Sequence, residues 1–151
     1  LELSQALHVR RLQRAEVPAE GAPAPSLPVS PPPRARVLVV DDEPAILSII
    51  QRVLGRSFDV VPCDSGAAAI RVLEEDQDFD LVLCDLMMMN MGGTELRQIV
   101  RSRWPQVSKR WVFMSGGAEV SDAQGEPHHF LAKPFKATEL RDYVAKLLEQ
   151  T

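Results

Sequence analysis

Cysteine is scarce in this chain of 151 residues. Cys63 and Cys84 both sit inside apolar runs, and neither has a Cys-x-x-Cys or Cys/His spacing around it. A zinc-type site and a disulfide framework are therefore not expected, and the two thiols read as reduced core residues. Long hydrophobic runs are also missing, since no stretch approaches the roughly 20 apolar residues of a transmembrane helix. With no signal-peptide pattern either, the segment is expected to be cytoplasmic and to make no membrane contact. Positive charge is not in excess: 17 Lys and Arg stand against 21 Asp and Glu, for a net charge of -4. That balance gives no electrostatic case for nucleic acid. The local group Arg97, Arg101, Arg103, Lys109 and Arg110 reads as a solvated face near a helix C-terminus, where cations are favoured.

Proline is plentiful but segregated, with seven of the twelve falling in residues 17–33 among Ala, Ser and Gly. Such a stretch forms no core and is expected to be an extended, semi-rigid linker. Before it, residues 1–16 have Leu3 and Leu7 at helical spacing and are expected to form a helical segment or the end of an upstream region. His8 is followed by Val9 rather than an acid and reads as a surface histidine.

Residues 34–151 have a different texture. Four short apolar runs each end in a reactive polar group: Val37–Val40 in Asp41 and Asp42, Leu81–Cys84 in Asp85, Trp111–Met114 in Ser115, and Phe130–Ala132 in Lys133. Between them lie helix-like periods: Ile46, Leu47, Ile50, Val53 and Leu54 after Pro44; Ala67, Ala68, Ile70 and Leu73 after Ser65; Leu96, Ile99 and Val100 after Gly93; and Leu140, Val144, Leu147 and Leu148. Gly116, Gly117, Gly125 and Pro127 leave room for only a short helix near Ala118–Gln124. Strands and helices in alternation imply an α/β fold with a parallel sheet. Ligands collect at the carboxyl ends of such strands, so the polar groups are expected to converge there.

The ordered set Asp41-Asp42, Asp85, Ser115 thirty positions later, Phe130 and Lys133-Pro134 resembles the receiver domain of two-component response regulators, over about residues 34–151. The resemblance implies a flavodoxin-like, doubly wound five-stranded sheet in the order 2-1-3-4-5, with a short or degenerate fourth helix. It implies a phosphoacceptor domain that assists its own phosphoryl transfer and dephosphorylation, not a classical enzyme. Asp85 would accept a phosphoryl group from the phosphohistidine of a histidine kinase or phosphotransfer domain. Mg²⁺ would be held by Asp42, Asp85 and the backbone carbonyl of Met87, with Asp41 acting mainly through water. Lys133 would pair with Asp85 before phosphorylation, and a cis peptide is implied between Lys133 and Pro134. Ser115, Phe130 and Lys133 would form the switch. Asp41 and Asp42 also fit the plainer role of helix N-caps. His128 and His129 read as loop surface, and the methionines after Asp85 as packing and loop anchors rather than soft metal ligands.

Departures from the family pattern carry expectations too. Met89 replaces a common proline, a lost restraint that would loosen the loop without removing a catalytic group, while neither Met87 nor Gly117 can position a water as an amide or carboxylate would, so slow loss of the phosphoryl group is implied. The Ser115–Lys133 stretch is shorter than in the single-domain chemotaxis regulators, which leaves at most a weak dimer through that face. The linker-like start favours the C-terminal receiver of a hybrid sensor histidine kinase, with a stand-alone regulator as the alternative. A receiver-like interaction module that is never phosphorylated is the rival from another class. A haloacid dehalogenase-type phosphatase would need a second Asp where Met87 stands.

Overall fold

The structure is a computed structural model that describes residues 33–116 and 129–150. The expectations for residues 1–16, for the linker up to residue 32 and for the helix near Ala118–Gln124 lie outside the described residues. The described elements are β1 (Arg36–Val40), α1 (Pro44–Leu54), β2 (Asp59–Cys63), α2 (Gly66–Glu75), β3 (Leu81–Asp85), α3 (Gly93–Arg103), α4 (Pro105–Ser108), β4 (Trp111–Ser115), β5 (His129–Ala132) and α5 (Ala137–Gln150). All pairings are parallel, and the strand order is β2-β1-β3-β4-β5. No described helix is long and apolar enough to cross a membrane.

The central strands β1, β3 and β4 are apolar through their middles because both faces of the sheet are covered. Val37, Val39, Leu81, Leu83, Val112, Met114 and Leu131 face α1 and α5, where Leu47, Ile50, Leu54, Leu140 and Val144 meet them. The alternate positions Leu38, Val40, Val82, Cys84, Trp111 and Phe113 face the other way, onto Ala69, Leu73, Leu96, Val100 and Val107. Each fully buried Leu or Val adds about 1.5–3 kcal/mol relative to leaving it exposed. Both cysteines are free and buried, as the sequence implies.

Local details depart from the sequence reading in four places. In α2 the buried alanine is Ala69, while Ala67 is exposed, because Ser65 caps the helix by accepting from the Ala68 N–H at 3.1 Å and so fixes its rotation. A four-residue helix, α4, follows Trp104 and begins at Pro105, a residue suited to a first helical position. His129 is not in a loop but is the exposed first residue of β5. Neither Asp41 nor Asp42 caps α1; Glu43 holds the cap position without a side-chain bond, and Pro44 begins the helix.

The amino ends of the strands are held by a separate polar network. Buried Asp80 accepts from the Arg36 N–H at 2.7 Å and lies 3.9 Å from the Arg110 guanidinium. Arg36 also pairs with Asp76 at 2.5 Å and stacks 4.5 Å above the Phe79 ring. The basic group expected to be a solvated face is likewise partly structural. Arg97 donates to Ser108 O, Arg110 to Phe79 O, and Arg103 pairs with Glu74 at 3.2 Å. Asp80→Asn should weaken a buried acceptor and lower the unfolding free energy by about 1–3 kcal/mol in urea melts. An unchanged midpoint would show that Asp80 does not hold this end of the sheet.

Candidate functional site

Strand order brings the reactive residues to one end of the sheet. β1 and β3 are neighbours, so Asp41, directly after β1, and Asp85, the last residue of β3, finish side by side. Ser115 ends β4, and the chain leaves β5 at Lys133, whose N–H donates to Ser115 O at 2.8 Å. One carboxylate oxygen each from Asp41, Asp42 and Asp85 lies within 4.8 Å of the others. Asp41 is fully buried and Asp85 is 5% exposed.

Backbone groups fix the three acids individually. Asp41 accepts from the Glu43 N–H at 2.9 Å, Asp42 from the Met89 N–H at 3.0 Å, and Asp85 from the Met87 N–H at 3.4 Å. The loop after Asp85 thus touches two of the acids through amides, which side-chain chemistry in the sequence does not signal. Asn90 turns this loop with φ 69°, a conformation Asn tolerates better than most residues. Gly93 then lets α3 start against the Asp85 carbonyl, where a Cβ would collide with backbone.

Lys133 is placed differently from the expectation in one respect. Its Nζ lies 3.3 Å from Asp85 Oδ1, as expected, but it bonds more closely to Asp41 Oδ2, at 2.7 Å. The physical reason is burial: Asp41 has the least water available and most needs a cation. The peptide between Lys133 and Pro134 is cis, as the resemblance implied. Phe130 is half-buried on the α2 and α3 side, with its ring centroid 5.8 Å from that of Phe113.

The electrostatics follow from this packing. Burial and then the charge of Asp41 push the Asp85 carboxyl above its ordinary pKa, while Lys133 and the Met87 N–H only partly oppose them. Burial works against the charged form of Lys133, yet the hydrogen bond and charge of Asp41, with Asp85 behind, hold its pKa above the usual lysine value. An all-oxygen set of three carboxylates suits a hard divalent cation such as Mg²⁺ and does not suit a soft one.

The profile of the response regulator receiver domain matches residues 37–145. The chain belongs to this family. Sensor kinase CckA of Brucella abortus (strain 2308) is 32% identical over 122 residues, spanning 77% of this chain and 13% of the kinase. Two-component response regulator ARR11 of Arabidopsis thaliana is 33% identical over 112 residues, or 70% of this chain and 21% of the regulator. The receiver therefore spans less than a quarter of either relative. Among solved structures, chemotaxis protein CheY4 of Vibrio cholerae shares the fold, with TM-score 0.67 at 22% identity over 76% of this chain and 98% of that one. The receiver domain of the hybrid histidine kinase CckA has TM-score 0.63 at 28% identity, covering 76% of this chain and 99% of that one.

Proposed function

We propose that this receiver takes a phosphoryl group from the phosphohistidine of a histidine kinase or phosphotransfer domain onto Asp85, in a Mg²⁺-dependent reaction. The observation that carries the reading is the three-carboxylate cluster with Lys133 reaching into it. An Asp85 oxygen attacks phosphorus, the bond from phosphorus to the imidazole nitrogen breaks, and the acyl phosphate forms as the histidine leaves. Asp42, Asp85 and the Met87 carbonyl, with Asp41 behind them, would hold Mg²⁺, whose charge would offset that of the phosphoryl oxygens. Lys133 adds a point charge on the other side, and Ser115 donates its hydroxyl to a phosphoryl oxygen. The inward pull on Ser115 vacates space that the Phe130 ring follows, which gives a two-state element biased by a local charge event. Such a domain relays signal within a larger chain or to one, and a hybrid sensor kinase is the parent we favour over a stand-alone regulator.

Intact mass after incubation with acetyl phosphate and Mg²⁺ tests the proposal. One added phosphoryl group with metal, and none with chelator, is the expected result. A chain that stays unmodified under both conditions would favour the interaction-module reading instead. Asp42 supplies a further check, because its only hydrogen bond among the described residues is to the exposed Met89 amide. Asp42→Ala should leave the fold intact while weakening Mg²⁺ binding and slowing phosphorylation by at least about 10-fold. Equal Mg²⁺ affinities of wild type and variant by calorimetry would remove Asp42 from the metal site.

A further inference from the structure

The five methionines are distributed unevenly about the site. Met114 is fully buried, and Met88 and Met91 pack on the core, whereas Met87 is 79% exposed and Met89 is 78% exposed. Among the described residues, only Ile49 joins these two as an exposed large hydrophobic. The two exposed methionines are also the residues whose N–H groups donate to Asp85 and Asp42. Packing therefore accounts for Met88 and Met91 but not for the thioethers of Met87 and Met89.

The other sulfur atoms are poor competitors for an oxidant. Cys63 is buried, and burial, with the charge of Asp64, pushes its thiol up to about 11. Cys84 is fully buried. The thiolate is the reactive form, so both cysteines are inert at neutral pH. Met87 and Met89 are left as the most exposed sulfur among the described residues, with Met88 and Met91 half-buried.

We propose that Met87 is a peroxide-modifiable control point for the lifetime of the phosphoryl group on Asp85, with Met89 oxidised alongside it. The effect on lifetime rests on the acceptor reading above. In the reaction the thioether sulfur attacks one oxygen of hydrogen peroxide, the O–O bond breaks, and water leaves. Sulfur is oxidised by two electrons to the sulfoxide, and peroxide is reduced to water. The change turns an apolar side chain with a weak acceptor into a polar one with a strong acceptor. Met87 stands two residues after Asp85, its amide donates to that carboxylate at 3.4 Å and its side chain is open to solvent, so we place its sulfur at the solvent side of the acyl phosphate. A thioether is too weak an acceptor to orient an attacking water, whereas a sulfoxide oxygen accepts a hydrogen bond from it. Oxidation should shorten the phosphoryl lifetime about 3- to 10-fold, the factor that one added hydrogen bond in the transition state supplies.

The test treats the full chain with hydrogen peroxide, maps added oxygen by peptide mass spectrometry, and then follows loss of the phosphoryl mass. Met87 and Met89 should oxidise well before Met114, and the lifetime ratio between reduced and oxidised protein should fall in the stated range. Each variant is compared only with itself: Met87→Leu should show a ratio near unity, Met89→Leu should keep the wild-type ratio, and Met87→Gln should have a short lifetime before peroxide is added. Equal oxidation of Met87 and Met114, an unchanged lifetime with Met87 fully converted, or a Met87→Leu variant as sensitive as wild type would overturn the proposal. A chain that never gains the phosphoryl mass overturns the acceptor reading and the lifetime effect together, whereas the oxidation map is read independently of phosphorylation.

Discussion

Asp85→Asn takes up no phosphoryl group from acetyl phosphate, at any Mg²⁺ concentration, and is more stable than wild type at neutral pH. The first outcome follows from chemistry, because an amide offers no anionic oxygen to attack phosphorus and is a poor metal ligand. The second follows from packing. Asp85 is buried beside Asp41, and those two effects outweigh the help it receives from Lys133. Its folded pKa lies above the unfolded value near 3.9. The folded state therefore holds the proton more tightly, so this contribution to stability is largest below the unfolded value and is lost as pH rises to the folded one. Asn never ionises and escapes that loss, while Lys133 keeps its closer partner, Asp41, at 2.7 Å. The gain at neutral pH should be about 0.5–2 kcal/mol, typical of a neutralised strained site. Urea melts across pH check it: the two proteins should draw together in acid and separate through the carboxylate range. Undiminished labelling of Asp85→Asn would sink the acceptor assignment, and a variant less stable than wild type at pH 7 would sink the electrostatic account.

The sheet and its polar end were legible because four of the five strands carry an apolar run with a reactive group at its end, while β2, with Asp59 and Pro62 in it, gave no such signal. The polar ends of four runs fixed the direction of the sheet, and the family resemblance fixed its order. What was not legible depends on distance across the chain. Asp80 bonds the Arg36 amide 44 residues away, and in sequence it is an ordinary acid before a strand. The preference of Lys133 for Asp41 over Asp85 is set by burial after folding, which spacing alone does not reveal. The anchoring of Asp42 by Met89 uses a backbone amide that any residue but proline carries. Proline is the residue the resemblance expects there, so Met89 supplies a hydrogen bond that the usual residue would lack. The departure that looked like a lost restraint on the loop thus brings a restraint of a different kind.

Lys133→Ala should cost about 3–5 kcal/mol of stability at neutral pH in chelator, the range for breaking a buried ion pair by removing one partner. Lys133 is the cation within reach of both Asp41 and Asp85, and removing it leaves two buried carboxylates facing each other. Its folded pKa lies above the unfolded value near 10.4, so its contribution is fully present through neutral pH and is lost as pH rises through the folded value. Wild type and variant should therefore converge in strong alkali. Mg²⁺ should restore much of the loss, since a ligand at 100 times its dissociation constant adds about 2.7 kcal/mol to the folded state. A deficit of the same size with and without Mg²⁺ would show that metal and lysine do not share these carboxylates. The signalling consequence differs from the stability one. With nucleophile and metal ligands intact, the variant should still be phosphorylated, though more slowly. The charge that draws Ser115 toward the phosphoryl oxygens is gone, and a ligand biases a two-state element only through contacts that differ between its states. The Phe130 ring resonances should therefore shift on adding beryllofluoride and Mg²⁺ to wild type and stay in place in Lys133→Ala. An equal shift in both proteins would mean that the switch does not run through this lysine.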